Sequence, residues 1–440
     1  MTEWLAWGSV LVVSAILLIV VNVRAADSDS GLHIGFVERL NTLPVSRWIA
    51  PEWWGLWGFD GLYREHPIGI LIPPLILSKL GFPASQAPFL ANAIYQVLSL
   101  VIIRNIAATV VPAVEARALS WMLQLIPIAF TYRIRANHEQ AVLLLFFVAL
   151  WAIEKSRKDA RWISLLVFST TAAVLVKGVF AAWLFIGCAI WLLIVRNDGD
   201  PGPIDRFRDR MRFDRRAWVG LAISFAGVLG VIAGYEFFYR QATHESFLAV
   251  YISRQIGAAA LAKGPSYLAQ KLSNLVFYGG RLLWFAFPGS LAVLATIWRR
   301  RNRKLGTVGA VYDRAQSLTT KHLSTRNARG HRPRLQTDGT SEAKPVPERT
   351  RQAFVFSVGI SLLYVVLFSL SDRHADRYIF PAYYLFAACG MISAATRSAW
   401  LKRIIERWDR HQQVFTPLLW LILFCLNLAS GPAGVPHIEV

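Results

Sequence analysis

Residues 4–23 read WLAWGSVLVVSAILLIVVNV, an apolar run without a single charged side chain. About 20 residues of α-helix are needed to cross the ~30 Å hydrocarbon core of a bilayer, so this run is long enough to span it. Further apolar runs predict spans at 89–111, 117–133, 138–153, 162–176, 178–195, 218–236, 281–298, 353–370, 379–396 and 414–430. We therefore predict an all-α polytopic membrane protein with about eleven transmembrane helices.

The composition excludes an ordinary cytosolic enzyme. Of the 440 residues, 55% are hydrophobic and only 17% are charged, whereas about a quarter of a soluble domain is charged. The three cysteines, Cys188, Cys389 and Cys425, are scattered through apolar runs. Their number and spacing indicate neither a disulfide framework nor a metal-binding motif.

The net charge of +20 is distributed unevenly between the loops. Segments 154–161, 196–217, 299–352 and 397–411 carry 30 of the 47 Lys and Arg residues but only 13 of the 27 Asp and Glu residues. Because basic loops stay on the cytoplasmic side, this pattern predicts a cytoplasmic N-terminus in the inner or plasma membrane. The basic loops lack the interleaved aromatic residues of a nucleic-acid platform, so we expect membrane lipids as partners and no nucleic acid.

The chain is predicted to form one transmembrane domain over 1–440. Residues 24–88 form a first outer loop with interfacial helices, and 237–280 form a second outer loop with interfacial helices. Segment 299–352 is a basic cytoplasmic loop. It lacks the apolar residues needed for a core, and we predict that it is mobile.

The first outer loop has its own helical pattern. Leu32, Phe36 and Leu40 recur at helical spacing, which predicts a helix that begins near Gly31. Four tryptophans follow between residues 48 and 57, a composition typical of a segment at the membrane interface. A second apolar stretch at 68–80 is too short to span and favours an interfacial or re-entrant helix.

Polar side chains gather at the predicted outer ends of the spans. Carboxylates in such a place can take a proton from an acceptor, and Arg and Lys can hold a phosphate. A transport pathway would instead place polar groups near the middle of the membrane. The set consists of Asp27, Asp29, Glu65, His66, Arg133, Arg135, His138, Glu139, Lys177, Arg254, Lys263, Lys271, Arg281, Arg373, His374, Asp376 and Arg377. We therefore predict a polar chamber that receives the head of a lipid phosphate.

Several motifs in this set resemble those of a known family. They are the acidic residue after span 1, Glu65-His66-Pro67, Lys177-Gly178 between two spans, and Tyr378-Ile379-Phe380-Pro381 at the start of a late span. Together they resemble the C-type integral-membrane glycosyltransferases, in the branch of aminoarabinose transferases and protein O-mannosyltransferases. The resemblance implies transfer of a sugar from a polyprenyl phosphate to an acceptor on the outer face.

The resemblance also implies roles for individual residues. Asp29 falls where the family has its catalytic base, and Ser30 and His33 depart from the usual Glu and aromatic residue. Glu139 and Glu65 take the places of further outer carboxylates, which would position the acceptor. The phosphate of the donor would be held by Lys177, Arg254 and His66, the last of which replaces a lysine.

Each of these residues also has a purely structural interpretation. Asp29 can cap the helix that follows it. Glu139 can cap span 4 or pair with Arg135. Lys177 can extend from the end of a span towards water. The remaining alternatives are that Arg373 and Arg377 neutralise Asp372 and Asp376, and that Glu65 and His66 bind a structural zinc ion.

We expect no essential cofactor, with the lipid-linked sugar as substrate and a divalent metal as an alternative. Two cations can balance the charge of a phosphate diester, so the chemistry does not demand a metal. A translocase of lipid-linked sugars is the main competing function, and a membrane scaffold is another. The sequence does not identify the sugar, the acceptor, which can be a lipid, a glycan or a protein, or the oligomeric state.

Overall fold

The computed structural model describes residues 2–25, 27–178, 182–195, 214–254, 267–299, 347–371 and 375–430. These residues form α-helices, short 3₁₀ turns and connecting loops. They contain no β-strand, and one isolated β-bridge joins Glu52 and Leu62. The first nine helices are α1 Thr2–Val21, α2 Ser28–Asn41, α3 Ile72–Lys79, α4 Ala87–Ala107, α5 Ala113–Met122, α6 Pro127–Thr131, α7 Glu139–Ser156, α8 Trp162–Lys177 and α9 Ala182–Ile194.

The remaining helices are α10 Arg215–Thr243, α11 Phe247–Ile252, α12 Tyr267–Phe285, α13 Gly289–Arg299, α14 Glu348–Ser369, α15 Phe380–Arg397, α16 Ala399–Asp409 and α17 Gln412–Ser430. Helices α4, α7 and α15 are the most buried and form the centre of the bundle. Helix α7 packs against α4 and α8, α10 covers α8, and α14 packs against α15. Helices α1 and α17 pack against each other.

The all-α membrane fold is confirmed, but the count of eleven spans is not. Six of the described helices are long and apolar enough to cross a membrane, or seven if the bent pair α12 and α13 forms one span. The predicted span 281–298 is wrong as a single helix, because the chain bends by 105° between Phe285 and Gly289. Pro288 lies in this break and has no backbone N–H to continue a helix.

The predicted span 117–133 is also interrupted. It is divided between α5, a 3₁₀ turn at Leu123–Leu125 and the short helix α6. Pro127 is the first residue of α6, where its missing N–H costs nothing, but Ile126 before it is extended. The polar turn that follows α6 therefore lies within the folded bundle.

The predicted helix of the first loop is confirmed and begins at Ser28. Its inward face buries Leu32, Phe36, Val37 and Leu40 against the rest of the loop. Between α2 and α3 the chain forms a compact turn, in which Trp53 N donates to Gly61 O at 2.8 Å. This turn packs against α2, where the ring centroids of Trp53 and Phe36 are 6.0 Å apart.

The other two predicted loops are described only in part. Within 237–280, α10 continues to Thr243 and α12 begins at Tyr267, and residues 255–266, including Lys263, lie outside the described part of the chain. Of segment 299–352, residues 300–346 also lie outside it, and α14 begins at Glu348. The prediction of a mobile basic loop therefore falls on residues that the structure does not describe.

Candidate active site

The first turn of α2 places two aspartates in different roles. Asp27 is the N-cap of α2, and its Oδ1 accepts a hydrogen bond from Ser30 N at 3.0 Å. Asp29 lies within the helix, and its carboxylate pairs with the Arg377 guanidinium. The cap interpretation of Asp29 is therefore wrong, because the cap is supplied two residues earlier.

Ser30 and His33 attach α2 to the turn before α7. Ala136 N donates to Ser30 Oγ at 2.8 Å, and His33 Nδ1 donates to Ala136 O at 2.6 Å. Both side chains are buried. The two departures from the family pattern thus have a structural explanation, since they hold Asp29 at a fixed place beside this turn.

Glu139 and Lys177 form a buried ion pair between the start of α7 and the end of α8. Lys177 Nζ donates to Glu139 Oε1 at 2.9 Å, and the two side chains are 4% and 0% exposed. Lys177 therefore does not extend into water. Arg135 pairs with Asp27 at 3.6 Å instead of Glu139, so this alternative for Glu139 is also wrong.

Arg377 lies between Asp29 and Lys177. It contacts Asp29, and it lines a small cavity of about 10 Å³ together with Glu139 and Lys177. Asp376 pairs with Arg281 at 3.0 Å, so the alternative that Arg377 takes part in a local cluster with Asp376 does not hold. Residues 372–374, which include Asp372, Arg373 and His374, lie outside the described part of the chain.

Three histidines stand beside the buried ion pair. The ring centroids of His66 and His138 are 4.8 Å apart, and those of His33 and His138 are 5.4 Å apart. Glu65 is half-buried next to His66. Among the residues that the structure describes, no three His, Cys, Asp or Glu side chains are arranged to hold a metal ion.

The buried histidines make stability depend on pH. Burial lowers the pKa of His138 well below its usual value, and the Lys177 charge, with His66 and His33, lowers it further. Burial is also the main cause of a lowered pKa for His33, against the raising effects of its hydrogen bond to Ala136 and of Glu139 and Asp27. The unfolded chain therefore binds more protons than the folded chain below about pH 6.5, so stability falls as the pH falls through that value.

We expect a lower Tm in detergent at about pH 5.5 than at about pH 7.5, because the unfolded state takes up these protons. His138→Asn should reduce this difference in Tm. His411→Asn should leave the difference unchanged, because His411 is exposed in the turn between α16 and α17. Thermal unfolding at the two pH values measures the effect. An equal drop in the wild type and in His138→Asn would contradict this explanation.

A large apolar cavity adjoins the ion pair. Its volume is about 550 Å³, and helices α8, α9, α10 and α11 contribute most of its lining. Gly178, the residue after Lys177, and Pro67, the residue after His66, both line it. Arg254 is exposed two residues beyond Ile252, another lining residue. Lys177, His66 and Arg254, the three predicted phosphate-binding residues, thus lie one or two positions in sequence from residues that line this cavity.

Steric constraints explain why a glycine follows Lys177. Gly178 has a φ of +57°, and a Cβ at this position would collide with the Tyr251 hydroxyl. That hydroxyl donates to Lys177 O at 3.4 Å, so α11 lies directly against the end of α8. Only glycine combines this backbone conformation with the close approach of Tyr251.

Comparison with solved structures agrees with this arrangement of helices. ArnT from Cupriavidus metallidurans, in a crystal structure bound to undecaprenyl phosphate, superposes with a TM-score of 0.62 and 11% identity, over 99% of this chain and 77% of that chain. Its apo crystal structure gives a TM-score of 0.57 and 13% identity, over 96% of this chain and 76% of that chain. The chain has a GT-C glycosyltransferase-like fold.

This similarity, together with the apolar helices, identifies a multi-pass membrane protein. No family model and no curated protein matches the chain. The GT-C-like fold brings Asp29, Glu139 and Lys177 to one end of the bundle, which we name the site end. The sequence prediction included Arg377 in the polar chamber but missed its contact with Asp29, although this residue directly precedes the Tyr378-Ile379-Phe380-Pro381 motif.

Proposed function

We propose that this protein is a membrane glycosyltransferase that moves a sugar from a polyprenyl-phosphate donor to an acceptor. One observation carries the proposal: the residue that follows the buried Lys177 lines an apolar cavity of about 550 Å³, and Arg377 lines a smaller cavity with Lys177 and contacts Asp29. A polyprenyl phosphate has the same division into an apolar tail and an anionic head. A structural neighbour with this fold was crystallised with undecaprenyl phosphate, which supports the choice of donor.

In this proposal the cavity holds part of the polyprenyl tail, and the phosphate lies beside Lys177. Cavities of this size bury most of a small ligand, and an apolar lining favours hydrocarbon over water. Arg254 and His66 flank the same region and supply further hydrogen-bond donors to the phosphate. Lys177 then stabilises the negative charge that develops on the leaving phosphate oxygen.

Asp29 is the general base of the proposed reaction. The acceptor oxygen attacks the anomeric carbon, its proton passes to the Asp29 carboxylate, and the bond from that carbon to the phosphate oxygen breaks. Polyprenyl phosphate leaves with the electron pair of that bond. Single displacement inverts the configuration at the anomeric carbon. Glu65 positions the acceptor, whereas Glu139 acts by holding Lys177, because its Oε1 accepts the lysine N–H.

Arg377 has a double role in this scheme. Its contact with Asp29 orients that carboxylate, and its place beside Lys177 adds a second cation near the phosphate. We expect Arg377→Gln to lower kcat about 10- to 100-fold, since a charge-assisted hydrogen bond is worth about 1.5–3 kcal/mol. Arg377→Lys should retain more activity, because it keeps the charge but loses the planar fork.

Steady-state kinetics against donor concentration separates the two contributions of Arg377. A rise in KM reports lost phosphate binding, and a fall in kcat reports a misplaced base. The exposed Arg240, which pairs with Glu236 on α10, provides a control in Arg240→Gln. Kinetics of Arg377→Gln equal to those of the control would remove Arg377 from the site.

We propose that the reaction needs no divalent metal. Lys177, Arg377 and Arg254 offer charged hydrogen-bond donors to the phosphate diester, so the residues of the chain suffice. Transfer should therefore change less than about twofold when the protein is dialysed against EDTA, a change smaller than that from loss of one hydrogen bond. A loss of activity that Mg²⁺, Mn²⁺ or Zn²⁺ restores would contradict this expectation.

We further propose that the site end faces the extracytoplasmic side of the inner or plasma membrane, with the N-terminus cytoplasmic. The described ends of the basic segments support this orientation. Glu154, Arg157, Asp214 and Arg349 form one network of ion pairs, away from the site end, so three of these segments meet on the same side. Positive charge concentrated there is typical of the cytoplasmic face.

Purified protein in liposomes tests the function. A polyprenyl-phosphate donor with a labelled sugar should release labelled product when a mixture of candidate lipid, glycan and protein acceptors is added. Movement of the intact donor between leaflets without release of polyprenyl phosphate would favour a translocase instead. Neither activity, with the donor still bound, would indicate a scaffold.

A further inference from the structure

A second cavity lies at the end of the bundle opposite the site end. Its volume is about 80 Å³, and it lies between the ends of α4, α7 and α15 that are remote from Asp29 and the start of α14. Apolar side chains line its interior, among them Ile106, Leu150 and Leu385. Such a cavity does not hold water well, because water needs two to four polar partners.

The mouth of this cavity is cationic and polar. Arg351 on α14 and Arg397 at the end of α15 line it, together with the hydroxyl groups of Thr350, Ser393 and Thr396. Arg397 Nη1 also donates to Thr296 Oγ1 at 3.0 Å. The pair between Arg351 and Glu348 is exposed on both sides, so it holds Arg351 only weakly.

We propose that this cavity is a binding site for an anionic phospholipid. The first few methylene groups of one acyl chain enter the apolar interior, the rest of the chain stays in the bilayer, and the phosphate contacts Arg351 and Arg397. The positive charge of the mouth favours an anionic headgroup, because guanidinium groups bind phosphate through paired hydrogen bonds. The site is separate from the proposed donor site, because the two cavities share no lining residue.

Native mass spectrometry of the full chain in mild detergent tests the proposal. The probes are phosphatidylglycerol and phosphatidylcholine with identical acyl chains. We expect the wild type to retain phosphatidylglycerol in preference, and Arg351→Gln/Arg397→Gln to bind it at least about tenfold more weakly, as expected when hydrogen bonds to a charged group are lost. The matched control is Arg403→Gln/Arg407→Gln, which removes two exposed cations of α16 that do not line the cavity.

A second variant tests the interior of the cavity. Ser357 lines it and is partly exposed, so Ser357→Trp can fill the space while both arginines remain. We expect this variant to lose phosphatidylglycerol as the double arginine variant does. Equal retention of the two lipids by the wild type, or loss only in the Arg403/Arg407 control, would overturn the proposal.

A photoreactive side chain at position 357 identifies the occupant directly. We expect its cross-link to be a phospholipid of anionic headgroup. A cross-link to residues 300–346 of the same chain would overturn the proposal, since the cavity would then receive a protein segment. Neither measurement depends on sugar transfer, so both results stand apart from the test of the proposed function.

Discussion

Replacing Asp29 by Asn is expected to reduce sugar transfer by about 10²- to 10⁴-fold, the usual contribution of a general base. Asparagine has nearly the shape of aspartate but cannot accept the acceptor's proton. The cap of α2 is Asp27, so the change should leave the helix and the fold intact. Donor binding should also persist, because the donor contacts in the proposal come from Lys177 and its neighbours.

The neighbouring aspartate supplies the control for this experiment. Asp27→Asn removes the same charge two residues away, and asparagine caps helices about as well as aspartate. Transfer of labelled sugar and retention of the donor are measured for both variants in the same membranes. Activity of Asp29→Asn within about twofold of wild type, less than one lost hydrogen bond would cause, would reject Asp29 as the base.

The second large effect concerns the buried pair of Glu139 and Lys177. Removing one partner leaves the other charge buried without compensation, which costs about 3–5 kcal/mol, a large part of the stability of most domains. We therefore expect Lys177→Met and Glu139→Met to lower Tm strongly or to prevent accumulation of the protein. The 2.9 Å contact and the near-complete burial of both side chains are the reasons.

The double variant Glu139→Met/Lys177→Met separates folding from catalysis. An apolar pair of similar volume can replace a buried ion pair without loss of stability, so Tm should return near the wild-type value. Transfer should remain at least about 100-fold below wild type, because the leaving phosphate has lost its nearest cation. Thermal unfolding and transfer assays on one preparation measure both quantities.

A matched pair at the other end of the bundle serves as the control. Arg117 and Asp409 form two hydrogen bonds of 2.8 and 2.6 Å, remote from the site end. The variant Arg117→Gln/Asp409→Asn should retain transfer, because these residues touch no part of the proposed site. Near-wild-type transfer by Glu139→Met/Lys177→Met would contradict the role of Lys177.

The sequence was sufficient for the class of fold. Long apolar runs and the spacing of Leu32, Phe36 and Leu40 follow local rules, so the membrane helices and α2 could be predicted from them. The break at Pro288 was missed because the apolar run continues across it, and hydrophobicity does not report a bend. Hydrophobicity alone therefore does not give the number of spans.

Pairing between distant residues could not be predicted. Arg377 has acidic neighbours in sequence, which favoured local ion pairs, yet its partner is Asp29 at the opposite end of the chain. That contact depends on how α2 and α15 meet, and α2 is itself fixed by the hydrogen bonds of Ser30 and His33 to Ala136. Sequence reasoning selected Asp29, Glu139 and Lys177, whereas only the packing of the helices supplied the arginine between them.

The position of a bound polyprenyl phosphate tests the central claim most directly. A cryo-EM structure of the full chain in a lipid nanodisc with undecaprenyl phosphate provides this measurement. The account predicts that the phosphate lies within hydrogen-bond distance of Lys177, with the tail in the cavity lined by Gly178 and Tyr251. A phosphate found away from Lys177, with that cavity filled by other lipid, would contradict it.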